Sequence, residues 1–259
     1  MGKFSGILIC SDIDGTVISN SDYEGIFKKN SQAVKYFIEN GGKFTFATGR
    51  YAFYLESKEF KTLINAPACV FNGAVVYDYD SRKIMREKRI CHPLSTLIGI
   101  ADGFKDSLVR VTASFDANER SVNDLTDSML NEYTDNFPLK CIYVFDSEKH
   151  ADQFKAGLLA DKNFDDCYVS KSWNIAVEMT DINATKGDAV QFIKTITHSH
   201  TLVTIGDYEN DVPMIQAADI GVAVGSALPS VKKAADVTVC SFDDGAVFEL
   251  IDLLDKKFI

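Results

Sequence analysis

Short unbroken apolar runs, each followed by a polar turn and then a helical pattern, limit the fold of this chain more than any other feature. Ile7-Leu8-Ile9-Cys10 leading into Ser11 is the first such run. A strand with one wet face would alternate apolar and polar residues, so a continuous run predicts a strand covered on both faces. Ser31 reads as the N-cap of a helix to about Glu39, with Val34, Phe37 and Ile38 on one face and Gly41-Gly42 as its stop. Lys43 to Ala47 reads as a second strand, a helix is expected after Arg50, and Cys69 to Phe71 reads as a third strand. The order β-α-β-α-β predicts a parallel sheet with helices on both faces. The same alternation returns at Lys186. It predicts a helix to about Thr197, strands over 202–205, 220–224 and 237–240, helices near Val212 and Leu228, and a last helix from Ala246.

Between these stretches the texture changes. Ala74 to Tyr77 and Ile84 to Ile90 read as strands paired around a polar turn, followed by a helix from Leu94 to about Phe104. Strands are expected at 108–112, 140–145, 166–170 and 174–179, with a helix from Ser147 to Leu159. The simplest architecture is an α/β fold: a Rossmann-like parallel sheet core built from residues 1–78 and 183–259, with an inserted α+β cap domain at 79–182.

Composition narrows the partners. At 259 residues the chain can bury two modest cores, and 46% hydrophobic with 25% charged residues is ordinary for a folded protein. A formal net charge of −10 repels nucleic-acid backbones, so no nucleic-acid partner is expected. A phosphorylated ligand would then need positive charge supplied locally. The six cysteines form no Cys-x-x-Cys pair and mostly sit in apolar runs, which reads as small buried hydrophobes in a reducing compartment rather than zinc ligands. No apolar stretch reaches the length of a membrane span, and no signal segment opens the chain. The expectation is a cytoplasmic protein, monomeric or weakly homo-oligomeric. Neither a Gly-x₄-Gly-Lys-Ser/Thr loop nor a Gly-x-Gly-x-x-Gly turn after a strand is present, which disfavours nucleotide kinases and dehydrogenases.

Asp12 and Asp14 follow the first strand directly, within Asp12-Ile13-Asp14-Gly15-Thr16. Alternation puts both carboxylates on one side, where they repel unless a cation lies between them. A second acidic turn, Gly206-Asp207-Tyr208-Glu209-Asn210-Asp211, follows a late strand. Ligands of an open parallel sheet gather at the carboxyl ends of its strands, so the two acidic loops can converge on one hard cation held by oxygen. Thr48-Gly49-Arg50 ends the second strand and offers a hydroxyl and backbone N–H to an anion. Lys186 opens a helix and can add a compact positive charge. Read alone, each acidic turn is equally an Asx turn or plain helix-dipole chemistry; their pairing favours the site.

Together these segments resemble the haloacid dehalogenase superfamily of phosphohydrolases, specifically its Cof-type branch with a class II, subtype B cap. Asp12 to Val17 resembles motif one, Phe46 to Arg50 motif two, Lys186-Gly187 motif three and Gly206 to Asp211 motif four. Asn72-Gly73-Ala74 matches the family's Asn-Gly-Ala element before the cap. The resemblance implies that Asp12 is a nucleophile forming a phosphoaspartate, and that Asp14 serves as general acid and base with its side chain free for protons. It implies Mg²⁺ held by Asp12, the Asp14 main-chain carbonyl, Asp207 and, through water, Asp211. Thr48, Gly49, Lys186, Asn210 and the Ile13 N–H would hold phosphate oxygens, with Asn72 and Gly73 on the substrate side. Arg50 is a candidate for the same role, or for a structural ion pair.

The implied activity is hydrolysis of small phosphate monoesters, of which sugar phosphates are the expected class. A phosphosugar mutase using the same phosphoaspartate, or a regulatory protein on a retired catalytic fold, are the alternatives. Trp173 and His92, His150, His198 and His200 have no motif support and read as packing or surface residues.

Overall fold

The computed structural model describes residues 2–18, 23–117, 122–123 and 133–257. In chain order, β1 (Ile7–Ser11), α1 (Tyr23–Glu39) and β2 (Lys43–Phe46) come first. A 3-10 turn (Ala52–Glu56) and the one-turn α2 (Lys58–Lys61) stand where a helix was expected after Arg50. Next come β3 (Ala68–Val70), β4 (Val75–Asp78), β5 (Lys83–Glu87), α3 (Leu94–Gly99), β6 (Leu108–Ser114), β7 (Val122–Asn123) and β8 (Lys140–Phe145). They are followed by α4 (Glu148–Ala160), β9 (Cys167–Trp173), β10 (Ala176–Asp181), α5 (Lys186–Ile196) and β11 (Thr201–Gly206). The chain ends with α6 (Val212–Ala217), β12 (Ile220–Ala223), α7 (Pro229–Ala234), β13 (Val237–Thr238) and α8 (Ala246–Lys257).

The core is a five-stranded parallel sheet in the order β13-β12-β11-β1-β2. Every residue of β1 is buried. Ile7 and Ile9 join the core on one face, which α1 and α8 cover, whereas Leu8 and Cys10 join Ala189, Val190 and Ile193 of α5 on the other. That two-sided burial is why β1 is apolar without interruption.

Three more expectations change in part. The first helix starts at Tyr23 rather than at Ser31, which lies inside it. Asn30 anchors the extra turns, donating from Nδ2 to the Val17 carbonyl at 2.9 Å and accepting from the Phe248 N–H at 3.0 Å. The third strand does not extend the parallel sheet; it touches that sheet only through a bridge between Ala47 and Cys69. β3 pairs antiparallel with β4, and β4 with β5, in a separate three-stranded sheet. The reason lies in the tight turn Phe71–Gly73, where Phe71 and Asn72 take φ of 51° and 57° and the chain reverses at once. The helix expected from Leu94 to Phe104 also stops at Gly99, and a 3-10 turn covers Asp102–Phe104. Glycines at 99 and 103 weaken a longer helix there.

The inserted region is an antiparallel sheet in the order β7-β6-β8-β10-β9. One face packs with α3 and α4 around Tyr143, Phe145, Phe154, Val177 and Met179. Alternation turns Lys140, Ile142 and Glu178 to the opposite face, which looks onto the carboxyl end of the core sheet. No described helix is long and apolar enough to cross a membrane.

Candidate active site

The site forms where the parallel sheet changes winding direction, between β1 and its neighbours β11 and β2. Ser11 and Ile205 are register partners, and the Asp12 N–H donates to the Ile205 carbonyl at 2.9 Å. The two acidic loops therefore leave the sheet side by side. Asp12, Asp207 and Asp211 each present a carboxylate oxygen within 4.8 Å of the others. Lys186, only 1% exposed at the start of α5, donates from Nζ to Asp12 Oδ1 and Asp211 Oδ1, both at 2.6 Å. The other Asp211 oxygen accepts the N–H groups of Asp207 and Tyr208 at 3.0 Å. Thr16 donates to Asp207 Oδ1 at 3.3 Å. Gly15 makes the approach of the two loops possible: its φ is +81°, and a Cβ there would lie 2.5 Å from Asp207 Oδ2.

Charge is unbalanced here, with three carboxylates facing one ammonium. Burial drives the Asp12 carboxyl well above its ordinary range; Lys186 pulls it back, and Asp211, Asp207 and Asp14 push it up again. Burial, then the Asp211 charge, pushes Asp207 up to about 7. Burial works against the charge on Lys186, but Asp12 and Asp211 more than offset it and keep the ammonium protonated. An excess of buried carboxylate is resolved by a bound cation, and an all-oxygen donor set suits a hard divalent ion.

Around this floor the other expected residues are found in two groups. Thr48 is buried, its Oγ1 accepting the Arg50 N–H at 3.2 Å. Gly49 and Asn72 are neighbours, since a Cβ on Gly49 would lie 3.0 Å from Asn72 Oδ1. Asn210 Nδ2 donates to that same Oδ1 at 3.1 Å. Gly73, at φ +111°, lets the turn press against Thr185 immediately before Lys186; a Cβ would lie 2.2 Å from the Thr185 carbonyl. Ile13 is fully buried in the core, consistent with its side chain turning away from the two aspartates.

Asp14 differs from expectation, whereas Arg50 takes the structural ion pair that was kept open for it. Asp14 stands outside the three-carboxylate cluster, and its side chain is not free. Arg50 grips it with two parallel bonds, Nε to Oδ2 at 2.8 Å and Nη2 to Oδ1 at 2.5 Å. The guanidinium also lies 3.8 Å from the ring centroid of Tyr54. A planar fork matches a carboxylate as well as it matches a phosphate, and Asp14 is the nearer anion.

The cap contributes groups that no motif marked. A cavity of about 430 Å³ lies between cap and core, floored by Asp12, Asp207 and Asp211 and walled by Lys140, Glu178 and Trp173. Lys140 donates to the Gly49 carbonyl at 2.7 Å and lies 3.5 Å from Glu178, both side chains being nearly inaccessible. Asn72 Nδ2 bonds Glu178, and Asn210 Nδ2 reaches Ser172 at 3.4 Å. Lys155 of α4 pairs with Glu209 across the same seam. The detectable signal was a charge inside an apolar strand: Lys140 before Cys-Ile-Tyr-Val-Phe, and Glu178 within Ala-Val-Glu-Met.

A family model described as haloacid dehalogenase-like hydrolase matches residues 9–251. A phosphoglycolate phosphatase of Methanosarcina acetivorans is 37% identical over 103 residues, 39% of this chain and 44% of that protein. The chain thus spans under half the length of that relative. The solved structure of a haloacid dehalogenase-like hydrolase from Bacteroides thetaiotaomicron superposes with a TM-score of 0.76 at 22% identity, covering 95% of this chain and 98% of that one. A structure described as a subclass IIB sugar phosphatase of the same superfamily gives 0.76 at 18% identity, covering 97% and 99%. The family model spans nearly the whole chain, and the protein belongs to the haloacid dehalogenase-like hydrolases.

Proposed function

We propose that the protein is a Mg²⁺-dependent phosphatase of small phosphate monoesters, acting through a phosphoaspartate on Asp12. The observation that carries this reading is the Asp12–Asp207–Asp211 cluster braced by Lys186 at the floor of the cavity between cap and core. Asp12 attacks phosphorus in line while Lys186 holds one of its carboxylate oxygens in place. Asp14 protonates the leaving alcohol and then takes a proton from the water that cleaves the acyl phosphate. For that, Asp14 exchanges its bond with Arg50 for one with substrate. Thr48, Gly49 N–H, Ile13 N–H and Asn210 receive phosphoryl oxygens. Asp12, the Asp14 carbonyl and Asp207, with Asp211 through water, would hold Mg²⁺, which would supply charge neutralisation for the phosphoryl group.

Residues 79–182 are the proposed cap and residues 1–78 and 183–259 the proposed core. The cap limits substrates to small molecules, and its Lys140, Glu178 and Ser172 present a charged and hydroxylic wall that suits a sugar phosphate. The structurally similar sugar phosphatase supports that class, and the relatives named as phosphoglycolate phosphatases make 2-phosphoglycolate the comparison substrate.

The test is hydrolysis of p-nitrophenyl phosphate with Mg²⁺, followed by a panel of hexose and pentose phosphates beside 2-phosphoglycolate. Asp12→Asn is expected to abolish turnover; full activity in that variant removes Asp12 as nucleophile. Isomerised rather than dephosphorylated product from a hexose 1-phosphate would favour a mutase.

A further inference from the structure

Among the described residues, two groups of ligating side chains come close enough to share one metal ion. One is the core carboxylate cluster. The other lies in the cap, where His92, Asp166 and Cys167 each place one ligand atom within 4.8 Å of the others. Sequence spacing hides this second group, because His92 precedes α3 whereas Asp166 immediately precedes β9 and Cys167 opens it. The fold joins them at the foot of the β9–β10 hairpin, where Cys167 is the register partner of Asp181 and the Ile182 N–H donates to the Asp166 carbonyl at 2.9 Å.

The spacing is close to that of a metal site. His92 Nε2 lies 2.9 Å from Asp166 Oδ1, and Cys167 Sγ lies 3.5 Å from that same oxygen. Around tetrahedral zinc, with bonds of ~2.0–2.1 Å to nitrogen or oxygen and ~2.3 Å to sulfur, neighbouring ligand atoms stand about 3.3–3.7 Å apart. The sulfur–oxygen contact already has that length, and the imidazole–carboxylate contact needs only a slight opening. Phe164 supports the imidazole at 4.9 Å between ring centroids, which limits its swing. Cys167 is 6% exposed while the Asp166 side chain is 44% exposed, so a buried sulfur anchor faces an open entry side. Cys91 and Asp181, themselves in contact at 3.8 Å, add a second thiol and a second carboxylate beside the group.

We propose that His92, Asp166 and Cys167 form a cap-borne site for a divalent metal of the zinc class, separate from the all-oxygen cluster of the core. A mixed nitrogen, oxygen and sulfur set suits an ion of borderline softness and disfavours Mg²⁺. Burial, reinforced by Asp166 and Asp181, holds the Cys167 thiol protonated in the absence of an ion. Metal binding forms the sulfur–metal bond as that proton leaves to solvent. The ion would tie the segment entering α3 to the hairpin foot, stiffening the base of the cap.

Chelator-stripped full-length protein titrated with Co²⁺, a coloured stand-in for zinc, tests the site. The expected result is a thiolate-to-Co²⁺ charge-transfer band that saturates near about one ion per chain and is bleached by Zn²⁺. It should persist in Asp207→Asn, which alters the core cluster, and disappear in Cys167→Ser, a nearly isosteric change. His92→Gln, a change at a partly exposed position, should weaken Co²⁺ binding about 10-fold or more. No charge-transfer band in the wild type, or an undiminished band in Cys167→Ser or His92→Gln, would overturn the assignment and leave His92–Asp166 as an ion pair only.

Discussion

Lys186 has two carboxylates within 2.6 Å and almost no exposure to solvent. Replacing it with methionine fills the space but leaves Asp12 and Asp211 without their counter-charge. Removing one partner of a buried ion pair costs about 3–5 kcal/mol. We expect K186M to lose that much stability in urea unfolding at neutral pH in metal-free buffer, with the loss shrinking on acidification as the carboxylates take up protons. An undiminished midpoint would show that the ammonium is not what holds this floor together. At this scale the sequence was largely legible, because Asp12, Asp207, Asp211 and Lys186 sit in short strings whose order along the chain reflects their convergence. The Asp14–Arg50 grip was not settled by it: both residues were marked, but their mutual attraction depends on a distance between two loops that no spacing encodes.

At the level of elements, the cap sheet uses its two faces for different work. Tyr143, Val177 and Met179 pack on its helices, and Lys140 and Glu178 look into the cavity. The strands and their approximate bounds could be read from alternation. Their pairing could not, so residues contributed by β8, β9 and β10 to one wall were invisible as a group. The third core strand stands where it was expected and meets Ala47, just after β2, in parallel at one bridge, but its second partner could not be read. Its composition fits a parallel strand, and the positive φ at Phe71 and Asn72 also folds the next strand back onto its other edge. Contact between α4 and the second acidic loop rests on the Lys155–Glu209 pair, whose side chains are 19% and 33% exposed. Partly exposed pairs contribute ~0.2–1 kcal/mol. Lys155→Ala should therefore raise KM by about 2- to 5-fold with little change in kcat, and the difference from wild type should fade at high salt. A drop in kcat at constant KM would instead place Lys155 in the chemical step.

For the whole molecule, pH and metal act on the same carboxylates. Asp207 titrates near 7 in the metal-free fold against an ordinary 3.8. A raised carboxyl pKa favours the protonated form in the folded state, so its contribution to stability is complete below about 4 and is lost as pH rises through about 7. A divalent cation favours the ionised form and reverses that loss. The Tm gain from saturating Mg²⁺ should thus be larger at about pH 8 than at about pH 5.5, as followed by thermal unfolding with and without chelator. Equal gains at both values would count against Asp207 as a ligand.

The hydrogen bonds that join cap to core have a further consequence for selectivity. Glu178 already accepts from Asn72, Ser172 already meets Asn210, and Lys140 already meets the Gly49 carbonyl. A substrate hydroxyl entering this wall gains little, because it trades places with a protein partner of similar strength. A substrate tail that pushes one of these partners aside and can neither donate nor accept leaves a group orphaned, at a cost of about 1–3 kcal/mol per group. The wall therefore selects by exclusion: it sets a minimum polarity that a phosphate ester must meet, and above that threshold it distinguishes poorly among hydroxylated molecules.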